Sequence, residues 1–170
     1  MIHIPIQAKK QSIGSIVYIM EDSSMKRAFP IIGCLFPLLL GNIINYFLIN
    51  TTWYYRYAAF PVSVVVLLIW FLLGFYAIRF YKSKTQTILA LNFPAFIILL
   101  LVLLQQIILG YFWLNIIGSE SQIFFLPLMS LAVSITVRFL GPILFAYITS
   151  FLLLVVASFV GCVVGERRRK

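Results

Sequence analysis

Six polar side chains interrupt long apolar stretches of the sequence, and they are the residues best placed to do chemistry. They are Asn42, Asn45, Gln105, Gln106, Thr149 and Ser150. If each stretch is a membrane helix rising about 1.5 Å per residue, all six lie within roughly 10 Å outward of the bilayer midplane. Placing an amide in hydrocarbon without a hydrogen-bond partner costs free energy, so we expect these groups to form hydrogen bonds with one another across helices.

Two interpretations of this polar cluster are open. It is either a hydrogen-bonded seam that fixes the register between helices, or a polar site that opens outward. In the second interpretation, Arg56 and Arg138 lie near the mouth of the site. Such a site would favour an anionic or amphiphilic ligand.

The groups that most enzymes use are missing from the apolar stretches. The only histidine is His3, in the N-terminal segment, and no Asp or Glu interrupts a predicted span. Metal sites and proton relays within membranes usually need such groups, and the sequence has no glycine-rich phosphate loop. We therefore expect no catalytic residue, no metal and no cofactor, and we interpret the chain as a non-enzyme.

The composition indicates a membrane protein. Of the 170 residues, 63% are hydrophobic and 10% are charged, whereas a soluble domain carries about 25% charged residues. The net charge of +9 comes from basic residues at the ends of apolar stretches, where they anchor and orient membrane helices. Membrane lipids are therefore the expected partners, and nucleic acid is not.

The apolar stretches predict an all-α fold, an integral membrane four-helix bundle over residues 28–165. The expected spans are 28–49, 60–78, 88–114 and 142–164. A further apolar segment, 123–137, has about 15 residues, which is short of the roughly 20 needed to cross a bilayer. We expect it to be a short re-entrant or interfacial segment before the last span, preceded by a polar turn over 115–122.

Charge asymmetry predicts the orientation of the bundle. Cytoplasmic loops carry an excess of Lys and Arg, and a cytoplasmic N-terminus leaves only Arg56 and Arg138 outside among 13 basic residues. We therefore expect the N-terminal segment 1–27 and the basic tail 166–170 in the cytoplasm, with the bundle in the plasma membrane. The alternative is a fifth span at 123–137, which charge opposes because it would expose the basic tail.

Small residues recur every four positions in the last span, at Ala157, Gly161 and Gly165. Such a stripe lets another helix approach closely, from the same chain, a second copy or another membrane protein. Together with the absence of catalytic groups, it favours a non-enzymatic accessory, regulatory or resistance-type membrane subunit. The alternative is a transporter or permease subunit that uses the outward polar site.

Overall fold

The computed structural model describes residues 28–33, 35–51, 58–81, 83–108, 116–139 and 143–168, without the side chains at 137–139 and 143. Across these ranges the chain is almost entirely helical and contains no strand. Within them, five helices are long and apolar enough to cross a membrane. They are α1 (Ala28–Asn50), α2 (Ala59–Ala77), α3 (Lys84–Leu103), α4 (Ile116–Phe139) and α5 (Ile143–Arg167).

The helix boundaries follow local chemistry. The expected spans 28–49, 60–78 and 142–164 fall on α1, α2 and α5. The third helix starts at Lys84 rather than at 88, because the Ser83 hydroxyl accepts a hydrogen bond from the backbone N–H of Gln86 at 3.2 Å. Such a cap satisfies one of the free N–H groups of a helix start. At its other end α3 continues as a π-helical turn, Leu104–Ile108, and 109–114 lie outside the described residues.

The segment before the last span is longer than we predicted. Our prediction of a segment of about 15 residues at 123–137 is wrong, because α4 begins at Ile116 and has 24 residues. The expected polar turn over 115–122 is instead helical from Ile116 onward. Ser121 donates to the Gly118 carbonyl at 2.7 Å, and Gln122 donates to the same carbonyl at 3.1 Å. Polar side chains that bond their own helix in this way do not interrupt it.

Four of the helices run lengthwise beside one another. The Lys84 ammonium lies 2.7 Å from the Glu166 carboxylate, so the start of α3 meets the end of α5 and the two are antiparallel. Gly161 packs on Phe71, and Gly165 packs on Phe75, so α2 and α5 are parallel. The ring of Phe29 lies 5.6 Å from that of Phe80, which places the start of α1 beside the α2–α3 turn.

This arrangement gives the bundle two distinguishable ends. The basic end is the one where Arg79, Lys84 and Arg168 lie, since α2 ends there, α3 starts there and α5 ends there. The opposite end is the one where α2 begins at Ala59 and α5 begins at Ile143. The helices α1 and α3 run from the basic end to the opposite end, and α2 and α5 return.

Helix α4 lies across the opposite end rather than along the bundle. Its start, middle and end contact α3, α2 and α5, through the pairs Ser121–Gln105, Pro127–Ser63 and Thr136–Thr149. Counted from the Lys84–Glu166 pair at about 1.5 Å per residue, Gln105 lies ~32 Å and Thr149 ~26 Å along the bundle. Their α4 partners are about 22 Å apart along that helix. The axis of α4 is therefore steeply inclined to the others.

The core lies between α4 and the helices that run lengthwise. Phe124, Phe125 and Leu128 of α4 are almost fully buried and pack in one cluster with Trp70 of α2 and Leu91 of α3. The rings of Phe124 and Phe125 meet edge to face, with centroids 5.0 Å apart, an arrangement that aromatic pairs favour. The apolar face of α4 thereby closes the bundle at the opposite end.

Candidate functional site

Gln105 joins α3 to α4 through its side-chain amide. It is buried, and its Nε2 donates to the Ser121 hydroxyl at 3.0 Å while its Oε1 accepts from the Gln122 amide at 3.4 Å. In an apolar environment these bonds offset the cost of removing the amide from water. Gln105 is thus part of an interhelical hydrogen-bond seam.

The neighbouring Gln106 differs from Gln105 in the hydrogen bonding of its side-chain amide. Both lie in the π-helical turn Leu104–Ile108, a feature often found at functional sites. The side-chain carbonyl oxygen of Gln106 is buried and has no hydrogen-bond partner in the described part of the chain. An unsatisfied buried acceptor costs about 1–3 kcal/mol, so this oxygen is available to water or to a ligand.

On α1, Asn42 reaches the carboxylate of Glu120 in α4. Its Nδ2 donates to Glu120 Oε2 at 2.9 Å and to the Leu38 carbonyl at 3.0 Å. The two helices approach closely here because Gly41 has no side chain; a Cβ at that position would collide with the Ile123 carbonyl. Asn45 is half-buried on the same helix.

The hydroxyl residues of α5 form a separate contact with the end of α4. The Thr136 hydroxyl donates to Thr149 Oγ1 at 3.2 Å, and buried Ser150 donates to the Ala146 carbonyl of its own helix at 2.8 Å. Thr149 and Gln105 therefore contact opposite ends of α4. The polar residues predicted to converge are therefore not gathered in one place: Asn42 and Gln105 bond residues near the start of α4, and Thr149 bonds one near its end.

Of the two arginines predicted near the mouth of the polar site, the structure describes only the backbone of one. Arg56 lies outside the described residues, and so does the side chain of Arg138. The backbone of Arg138 belongs to the last turn of α4, just after Thr136. That turn lies at the opposite end of the bundle from Arg79 and Arg167.

A second polar network, which sequence reasoning missed, lies nearer the basic end. The indole N–H of Trp70 donates to Asn92 Oδ1 at 3.0 Å. The amide of Asn92 donates to the Ser158 hydroxyl at 2.8 Å and to the Ile88 carbonyl at 2.9 Å. All three side chains are buried, so one amide links α2, α3 and α5. The available signal was a Trp and an Asn inside apolar stretches, away from the interfaces where Trp concentrates.

The small-residue stripe of α5 packs on α2 of the same chain. A Cβ on Gly161 would collide with the Phe71 carbonyl, and one on Gly165 would lie 2.6 Å from the Phe75 carbonyl. Gly74 of α2 meets the Ser158 backbone in the same close approach, while Ala157 packs against the core. The absence of side chains lets these helix backbones come nearer than ordinary residues allow.

A cavity of about 290 Å³ opens between α1, α2 and α4 at the opposite end. Its lining is mostly apolar, with two hydroxyl groups from α4; the lining residues include Ile44, Leu48, Ala59, Met129, Ser130 and Ser134. Ser134 donates to the Ser130 carbonyl at 2.8 Å. Such a cavity is of the size and character that small amphiphilic molecules occupy.

The described residues contain no group of three or more His, Cys, Asp or Glu that could hold a metal ion. Comparison of the chain with protein-family models, with characterised proteins and with solved structures finds no match.

Proposed function

We propose that the protein is a non-enzymatic accessory, regulatory or resistance-type subunit of the plasma membrane that acts by contact with another membrane protein. The observation that carries this proposal is the closed interior. Trp70, Asn92 and Ser158 bond one another, and Gln105 bonds Ser121. Polar groups used in this way hold the helices of a bundle together.

The topology that we propose has four crossings, α1, α2, α3 and α5, with both termini in the cytoplasm. Support comes from the basic end, where Arg79, Lys84 and Arg168 lie together, as expected of a cytoplasmic face. The contacts of α4 with Gln105 and Thr149 support a position for α4 within the outer half of the bilayer, because both partners lie near the opposite end.

The surface that we propose for partner contact is the outward face of α1. This helix is 24% buried over its apolar window, against 33–39% for the other four. Leu39 is 62% exposed and Tyr46 is 65% exposed on that face. Among the five described helices α1 is the least buried, so its face is the one that we propose another membrane helix covers.

Crosslinking in native membranes tests this proposal. A photoreactive residue at Leu39 should crosslink to the same membrane protein that co-purifies with the chain in mild detergent. The matched control is Val156 of α5, which is 56% exposed and should not crosslink to that protein. A chain that is monomeric in detergent and crosslinks only to lipid from Leu39 would count against an accessory subunit.

A second candidate function is a transporter or permease subunit. The free carbonyl oxygen of Gln106 and the cavity lined by Ser130 and Ser134 favour it. Flux of anionic or amphiphilic solutes into proteoliposomes is the test, with Gln106→Leu as the variant that should reduce it. Absence of flux with folded protein would exclude a self-sufficient transporter and leave the accessory role.

A further inference from the structure

Two arginines, one from the turn after α2 and one from the turn after α5, lie beside the same aromatic ring at the basic end. The guanidinium carbon of Arg79 lies 5.8 Å from the ring centroid of Phe75, and that of Arg168 lies 5.7 Å from the same centroid. Arg79 also lies 5.5 Å from the ring of Tyr76. Both arginines are exposed, so their charged groups remain open to the surroundings.

The close packing of α2 and α5 brings the two arginines together. Gly165 rests on the backbone of Phe75, so the end of α5 lies against the end of α2. The Arg168 N–H donates to the Val164 carbonyl at 3.3 Å, and the Arg79 N–H donates to the Tyr76 carbonyl at 3.2 Å. Both backbones are thereby held in the turns that follow α2 and α5.

The neighbouring carboxylate forms an ion pair with a different cation. Glu166 forms its ion pair with Lys84 at 2.7 Å, on the side of α5 that faces α3. An aromatic ring attracts a cation but has no formal charge and accepts no bidentate hydrogen bonds. Both guanidinium groups lie beside the same ring, and each presents several N–H donors that suit a phosphate group.

A stripe of exposed apolar side chains on α2 begins beside Arg79 and runs away from the basic end. Leu68, Leu72 and Tyr76 recur every four residues and are 57%, 47% and 51% exposed. Residues at that spacing lie on one face of a helix, and Tyr is a residue typical of the membrane interface. A molecule with an anionic head at Arg79 could lay an acyl chain along this stripe.

We propose that Arg79 and Arg168 form a binding site for the phosphate of an anionic phospholipid. The guanidinium groups bind the headgroup phosphate, the rings of Phe75 and Tyr76 attract the cations, and one acyl chain follows Leu72 and Leu68. This site depends on α2 and α5 crossing the membrane, so that the basic end lies at headgroup level. It does not depend on a protein partner or on transport.

Lipid binding to the purified protein tests the site. In native mass spectrometry from detergent, phosphatidylglycerol should remain bound at concentrations where phosphatidylcholine does not. Arg79→Gln and Arg168→Gln should each weaken phosphatidylglycerol binding about tenfold, which corresponds to about 1.4 kcal/mol. The matched control is Arg167→Gln, which removes the same charge from the neighbouring position and should weaken binding less than about twofold.

Three results would overturn the proposal. Equal binding of both lipids would show that no anionic headgroup is recognised, and an equal loss in Arg167→Gln would show that only net charge matters. Competition by inorganic phosphate at concentrations similar to the lipid would show a free-phosphate site instead. Because Arg79→Lys and Arg168→Lys keep the charge and lose only the planar fork, they should fold, and they should bind with intermediate affinity.

Discussion

The hydroxyl of Thr136 lies 3.2 Å from that of Thr149, so the end of α4 meets the start of α5 at the same end of the bundle where α3 finishes. Its counterpart at the start of α4 is the 3.0 Å bond between Gln105 and Ser121. A helix that begins and ends at one face of a bundle does not connect its two faces. This relationship leads to the first prediction.

Cysteines placed at the two ends of α4 should be labelled from the same side of the membrane. In a background with Cys34→Ala and Cys162→Ala, Ile117→Cys and Ser134→Cys should both react with a membrane-impermeant maleimide added outside intact cells. Both positions are exposed, and they are about 26 Å apart along the helix. Gln86→Cys, exposed at the basic end, should react only after the membrane is permeabilised.

That experiment has a clear opposing outcome. If α4 crosses the bilayer, Ile117→Cys and Ser134→Cys will be labelled from opposite sides. The bundle would then have five crossings, and the basic tail would face outward.

Replacement of Gln105 by Leu should destabilise the protein. The variant removes the bond to Ser121 and leaves the Gln122 amide with one partner fewer, and interhelical hydrogen bonds of membrane proteins contribute about 0.6–1.7 kcal/mol. The free energy of unfolding in detergent should fall by that amount. Gln86→Leu, the same change at an exposed position, is the control, and an equal effect there would show that Gln105 has no special role.

Asn92→Leu should have a larger effect than Gln105→Leu. It breaks the bonds to Trp70 and Ser158 together and leaves a buried indole N–H without its acceptor, at a cost of about 1–3 kcal/mol for the orphaned donor. Thermal unfolding measures this loss, and a shift in tryptophan emission reports the changed surroundings of Trp70. Phe93→Leu, at the adjacent exposed position, should leave both signals unchanged.

A side chain at Gly161 should force α5 away from α2. Because the new Cβ would collide with the Phe71 carbonyl, Gly161→Val should lower the free energy of unfolding by about 1–3 kcal/mol, as overpacking commonly does. Val160→Leu adds bulk at the next, exposed position and should be neutral. Equal stability of the two variants would mean that the helices are not in contact at Gly161.

Apolar length and basic flanks were enough to predict α1, α2 and α5, because those signals are local. The start of α4 could not be predicted, since Ser121 and Gln122 suggest a turn until their bonds to the Gly118 carbonyl are known. A polar stretch forms a helix when each polar group finds an acceptor, and that depends on geometry rather than on residue type.

The polar site was predicted less well than the helices. Asn42, Gln105 and Thr149 were chosen because they interrupt apolar stretches, yet they bond three different positions of α4. Depth within a helix can be counted from the sequence, but the partner that a side chain faces depends on helix rotation and neighbour identity. The same limit explains why Asn92 and Ser158 were missed.

Helix α4 contacts every other helix of the bundle: α1 through Glu120, α2 through Pro127, α3 through Ser121 and α5 through Thr136. During synthesis it leaves the ribosome before α5 exists, so a nascent chain that ends at Phe139 lacks both the Thr149 contact and the helix that packs beneath it. We therefore expect the apolar face of α4 to be shielded, by lipid or by the insertion machinery, until α5 is in place. Truncation before α5 should therefore produce a substrate for membrane quality control rather than a smaller stable bundle.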